Sequence, residues 1–170
     1  MNVNELIQQM ELNARRIAAL AEGVSAEQAR WKPGPESWSI LEVLGHLYDE
    51  EHLDFRVRLD LLLHQPGTDW PPIDPPGWVI AHAYNQQDAA ETLRGFLSER
   101  EASLAWLRGL IDPDLQRGET APWGGLMRAG DMLASWAAHD LLHLRQLVEL
   151  QRAYVGALSE PYRTEYAGEW

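Results

Sequence analysis

Two of the six histidines, His139 and His143, stand four residues apart in the stretch Trp136-Ala-Ala-His-Asp-Leu-Leu-His-Leu-Arg-Gln146. On a helix such a pair stacks with about 5–6 Å between Cβ atoms, so one nitrogen from each ring can reach the same small cation. Met132, Trp136, Leu147, Leu150 and Tyr154 recur around them at steps of three and four. The two imidazoles therefore share the apolar stripe of their helix. Buried side by side, they need hydrogen-bond partners or a shared ligand. The competing reading is chance, because six histidines readily produce one such spacing. His46 strengthens the metal reading, since it lies on a second stripe, Val43, His46, Glu50, Leu53, Val57 and Leu61, one turn before an acid. His46 and Glu50 could instead be a hydrogen-bonded pair at a partly wet edge. With no cysteine in the chain, a metal would rest on histidine and carboxylate, and disulfides or a protein thiol nucleophile are excluded.

Four long amphipathic helices are available to position these residues. Val3, Ile7, Met10, Ala14, Ile17 and Ala21 predict the first, from about Asn4 to Glu22, closed by Gly23. Ser39-Ile-Leu-Glu42 is a capping box that opens the second, running to about His64. The third is expected from about Gln86 to Ile111, with Leu93, Leu97, Leu104, Leu107 and Ile111 inward and Glu99, Arg100 and Glu101 outward or at a seam. Asp112-Pro113 ends it. The fourth, from about Gly130 to Tyr154, carries the histidine pair, with Asp131 at its positive end. Residues 65–78 hold five prolines and two tryptophans, which argues against helix or central strand and for a binding loop or an anchored connection. Residues 115–125 read as a second irregular connection, and no β-hairpin pattern is evident. The aromatic tail from Pro161 to Trp170 is expected to pack back on the helices or on a partner. This is an all-α chain, a four-helix bundle with long irregular connections, and residues 1–170 read as one domain. Facing helices of such a bundle can bring His46 to His139 and His143.

The overall charge narrows the partners. Fourteen basic against 26 acidic residues give a net charge of −12, with Lys32 the only lysine, so nucleic acid and anionic lipid would be repelled. No apolar run reaches the length of a membrane span and no secretory leader is recognisable, so a soluble cytoplasmic protein is expected.

Trp31-Lys-Pro33, then Glu36-Ser-Trp38-Ser-Ile-Leu-Glu42-Val-Leu-Gly-His46-Leu, then His139-Asp140-x-x-His143-Leu-x-Gln146 resemble the DinB/YfiT-like superfamily. The resemblance spans the chain from the first helix to the last. It implies an up-up-down-down type of four-helix bundle and a divalent metal, zinc or nickel, held by His46, His139 and His143, in many members within a homodimer. Members include S-transferases and isomerases that use low-molecular-weight thiols, others called metal-dependent hydrolases, and many without a known activity. A small-molecule substrate is implied.

Three protein ligands leave a position open, which suits a catalytic ion better than a structural one. Imidazole alone would also suit iron or copper. No nucleotide-binding, serine-hydrolase or His-Glu-x-x-His pattern competes. Three outcomes follow: a metal-activated water attacking a carbonyl or phosphoryl centre, an exogenous thiol attacking an electrophile, or a non-enzymatic metal-binding or stress-response module. Glu50 is the best-placed general base, or else an acceptor that orients a histidine. Asp140, about 100° around the helix from His139, is expected to face solvent or a neighbouring helix, and Gln146 to reach the site's rim. Trp38 and Trp136 read as core or pocket wall.

Overall fold

The computed structural model describes residues 1–168. Helix α1 spans Val3–Ala21, with the Asn2 side chain accepting from the Glu5 N–H at its start. A short α2, Ala26–Arg30, leads to the Trp31–Trp38 connection. Helix α3, Ile40–Asp49, opens on the expected capping box: the Glu42 N–H donates to Ser39 Oγ at 3.1 Å, and the Ser39 N–H donates to Glu42 Oε2 at 2.8 Å. The helix does not stay regular. Glu50–Phe55 form a π-helical turn before α4 resumes at Arg56–His64. Such turns hold one extra residue and are frequent at functional sites.

Beyond α4 the structure departs from expectation. Pro75–Ala81 form a short helix, α5, inside the proline-rich stretch; Asp74 caps it and the prolines occupy its first turn, where a missing N–H costs nothing. Helix α6 covers Ala89–Gly109, so Ile111 falls outside it and stands exposed rather than inward. A small antiparallel hairpin, β1 Gly118–Thr120 with β2 Leu126–Arg128, interrupts the second connection. Gly124 and Gly125 make its turn with positive φ, a conformation glycine adopts without a Cβ penalty. Helix α7 is longer than expected, Ala129–Ser159. Tyr162 and Tyr166 stand in solvent instead of packing on the helices, and Trp170 lies outside the described residues.

Helix α1 packs against α6 and α7, while α3 and its continuation pack against the same two, which makes a four-helix bundle whose main neighbours are not consecutive in sequence. Trp70 anchors the proline-rich stretch, its Nε1 donating to Glu119 on the hairpin, whereas Trp78 stacks on His82 at the end of its own short helix. Two apolar clusters fill the interior. One gathers Ile7, Met10, Phe55, Leu59, Leu104 and Trp136; the other gathers Ile17, Val43, Leu44, Phe96, Leu147 and Leu150. Between them every long helix contributes buried polar groups: Asn13 from α1, Glu50, Glu51 and Asp54 from the π-turn, Arg100 from α6, Asp140 and His143 from α7. The histidines sit in this polar waist. No helix among the described residues is long and apolar enough to cross a membrane.

Candidate metal centre

His46 points inward from α3 on the buried stripe it shares with Val43 and Glu50, and His139 and His143 lie one turn apart on α7. Their Nε2 atoms meet. His46 Nε2 is 3.3 Å from His139 Nε2, and His143 Nε2 is 3.0 Å from it. Each of the three residues has a nitrogen within 4.8 Å of the others'. Nitrogens at about 2.0–2.1 Å from a tetrahedral ion are about 3.3–3.4 Å apart, so the observed spacing suits one cation.

The far sides of two of the rings support the same assignment. His143 Nδ1 donates to Gln146 Oε1 at 2.8 Å, which leaves Nε2 a bare lone pair. Gln146, expected at the rim, thus orients a histidine. His46 Nδ1 faces Glu50 Oε1 at 3.6 Å, and neither atom has a hydrogen bond to another described residue. A proton on Nδ1 there would again turn the lone pair of Nε2 toward the other histidines. Unprotonated nitrogens converging in a buried space repel one another unless a cation or a proton lies between them. The donor set fits a divalent ion of borderline softness.

The DinB superfamily profile matches residues 9–147, from the first helix to beyond His143. The chain belongs to the DinB superfamily. Among solved structures it resembles YfiT from Bacillus subtilis, described as a probable metal-dependent hydrolase with an unusual four-helix bundle topology. The TM-score is 0.78 at 21% identity, covering 88% of this chain and 86% of that one, a likeness of fold. No curated protein matches the chain.

In this DinB chain the electrostatics keep the histidines neutral. Burial lowers His46 from 6.5 to about 3, aided by His143. Burial, then His143 and His46, lower His139 to about 2, and burial lowers His143 as well. Neutral imidazole is the ligand form. Glu50 moves the other way: burial, then Asp54, raise its carboxyl from 4.5 to about 9. Without a cation beside it Glu50 therefore keeps its proton at neutral pH, which suits a group that orients His46 better than a ready base.

These shifts predict the acid and alkaline behaviour of chelator-treated protein. A histidine whose pKa is depressed on folding stabilises above the unfolded value of 6.5, and the contribution is lost as pH falls toward the folded value. Each such group costs up to about 1.4 kcal/mol per pH unit below that point. Glu50, raised on folding, stabilises below 4.5 and loses that contribution as pH rises toward about 9. Thermal melts against pH should fall below about 6.5 in the wild type, and Glu50→Gln should reduce the decline between 6.5 and 9 while leaving the acid limb. An unchanged alkaline limb in that variant would refute the Glu50 assignment.

A cavity of about 610 Å³ reaches His143, walled by Trp38, Pro33, Leu142, Gln146, Arg145 and Leu150. Trp38 lies parallel to the His143 ring at 6.4 Å and edge-on to His46 at 5.0 Å, so it is both pocket wall and packing for the site. Trp136 is core, stacked on Phe55, which itself touches His139. Of its two expected directions Asp140 takes the one toward neighbouring helices: it is fully buried and binds Arg100 of α6 and Asn13 of α1. Arg100, expected outward or at a seam, is 1% exposed.

Other polar partners escaped the sequence reading. Asp54 lies between Glu50 and Arg58, whose Nε is 2.6 Å from Asp54 Oδ1 and whose guanidinium lies against both Trp70 and Trp123. On the outer side of α3, Asp49 accepts from His82 Nδ1 and Tyr84 Oη. The i, i+4 spacing of Glu50, Asp54 and Arg58 was the available signal for the first group; the second, between separate elements, had none.

Proposed function

We propose that this DinB-superfamily chain is a divalent-metal-dependent enzyme acting on a small molecule, with His46, His139 and His143 as ligands. The observation that carries the proposal is the convergence of three neutral imidazoles, with His46 and His143 Nε2 at 3.3 and 3.0 Å from His139 Nε2, beside a cavity of about 610 Å³. Zinc or nickel fits the donor set. An ion with an open position would supply Lewis acidity, lowering the pKa of a bound thiol or water so that its deprotonated form is present near neutral pH. The chain's own residues do the rest. Gln146 and Glu50 fix ring orientation, Trp38 and Phe55 limit water around the rings, and the cavity beside His143 receives substrate.

Between the two chemistries, transfer to an exogenous low-molecular-weight thiol is favoured. The chain has no thiol of its own, so a thiol would come from outside, and Glu50, 3.6 Å from His46 Nδ1, is placed to orient a ring rather than to take a proton from water. Hydrolysis is the second reading, favoured by the description of YfiT. Cobalt-substituted protein titrated with small thiols should develop sulfur-to-metal charge-transfer absorption. Unchanged spectra with several thiols, together with metal-dependent turnover of ester or amide substrates, would reverse the order. Metal-loaded protein that turns over neither class would count against enzymatic function.

A further inference from the structure

The buried ion cluster at the bundle's waist is not needed to list ligands, yet it ties the ligand-bearing elements together. Arg100 reaches out of α6 with a guanidinium 2% exposed. Its Nε and Nη2 donate to Glu51 Oε1 at 3.0 and 2.6 Å. Its Nη2 and Nη1 also donate to Asp140 Oδ1 and Oδ2 at 2.6 and 2.8 Å, a bidentate grip. Nη1 donates to the Met10 carbonyl at 3.0 Å as well, so the side chain contacts α1, the π-turn and α7 at once. Trp136 Nε1 donates to the same Glu51 oxygen at 2.8 Å, and the Asn13 amide donates to Asp140 Oδ2 at 3.3 Å.

The two acids are placed with respect to the histidines. Asp140 follows His139 directly and precedes His143 by one turn. Glu51 follows Glu50 in the π-turn, just over one turn after His46. Without the cation between them the two carboxylates would repel, and that repulsion would push apart the helix carrying His46 and the helix carrying His139 and His143. A planar fork that grips one carboxylate at two points sets rotation as well as distance, which a point charge does not.

We infer that Arg100, acting through Glu51 and Asp140, is a positioning residue that sets the separation of His46 from the His139/His143 pair and so the affinity and geometry of the metal site. The inference rests on the metal reading above. Hydrophobic packing accounts for the four helices coming together, but a charged cluster of this kind often adds little stability over an apolar one. Its bonds run to Asp140, next to His139, and to Glu51, five residues after His46, and it lies in the same waist as the ligands, between the two apolar clusters.

The test is cobalt binding by metal-free protein, read as affinity and as the visible spectrum of the bound ion. Arg100→Lys keeps the charge but loses the fork; Glu51→Gln keeps the shape and weakens the tie. Each should lower cobalt affinity about 10–100-fold, the usual cost of losing a partner behind a ligand, and should shift the visible bands. Ile17→Ala, in the distant apolar cluster, serves as a control that lowers the melting temperature with the affinity and bands unmoved. Wild-type affinity and spectrum in a folded Arg100→Lys or Glu51→Gln protein would overturn the inference while leaving the metal site standing. A wild-type protein that binds no cobalt would instead remove the metal reading itself, and the inference with it. Should Arg100→Lys fail to fold, Glu51→Gln decides; failure of both to fold would assign the cluster to stability alone.

Discussion

His139→Ala is expected to purify without its metal, where untagged wild-type protein carries one ion per chain. His139 Nε2 is the atom nearest to both other ligand nitrogens, at 3.3 and 3.0 Å, so its removal leaves two donors that no longer enclose an ion. The affinity loss should exceed the roughly 100-fold that loss of an outer partner can cost. The protein should remain folded, because an open three-ligand site is not the origin of the fold and the helices bury two apolar clusters without it. Elemental analysis of wild type and variant after dialysis measures the effect. Equal metal in both would place the ion elsewhere.

Arg100→Met should be the most destabilising single change in the bundle's interior. It leaves Glu51 and Asp140, each about 2% exposed or less, as facing carboxylates with no cation, and strips the Met10 carbonyl of the donor from Arg100. Burial works against the Arg100 charge, while Glu51 and Asp140 hold its pKa up, so the guanidinium stays charged between them. Breaking a buried pair by removing one partner typically costs about 3–5 kcal/mol. For a chain of this size that corresponds to roughly 6–20 °C in melting temperature. Replacing Arg100, Glu51 and Asp140 together by apolar residues should recover much of the loss, leaving chiefly the Trp136 N–H and the Asn13 amide to find new partners. A single variant within about 1 kcal/mol of wild type by urea unfolding would mean the carboxylates take up protons or water at little cost.

What could be read from the sequence was what local rules govern. Ser39 and Glu42 announce a helix start through a bond pattern confined to four residues, and the apolar spacing carries His46, His139 and His143 inward with it. The short helix α5 was missed, because the prolines of residues 65–78 argue against helix, although Asp74-Pro75-Pro76 is a start signal in their midst. The hairpin was harder, with three-residue strands too short to show alternation. Arg100 could not be read inward. Between Glu99 and Glu101 it looks like part of a solvated face, and only the positions of Glu51 and Asp140 on two other helices reveal why it is buried. Asp140 was readable as facing solvent or a neighbouring helix, and the choice between them needed the same knowledge: about 100° around from His139 is the direction of α6 and α1, where a cation waits.

The π-turn records a mismatch of phase within one continuous helix. Buried positions there run Leu47, Glu51, Phe55, Leu59, three successive steps of four, before Leu62 returns to a step of three. Twelve residues at 100° each overshoot three full turns by about 120°, so an unbroken α-helix would carry Leu59 a third of the way round from Leu47. One additional residue in the turn takes back roughly that angle. The half that aims His46 and the half that fills the core are thus cut to different rotational settings, joined by a washer one residue thick. A one-residue deletion between positions 50 and 55 would smooth the backbone and force a choice: keep the histidine aimed and rotate Leu59 and Leu62 toward water, or keep the leucines and swing the imidazole away.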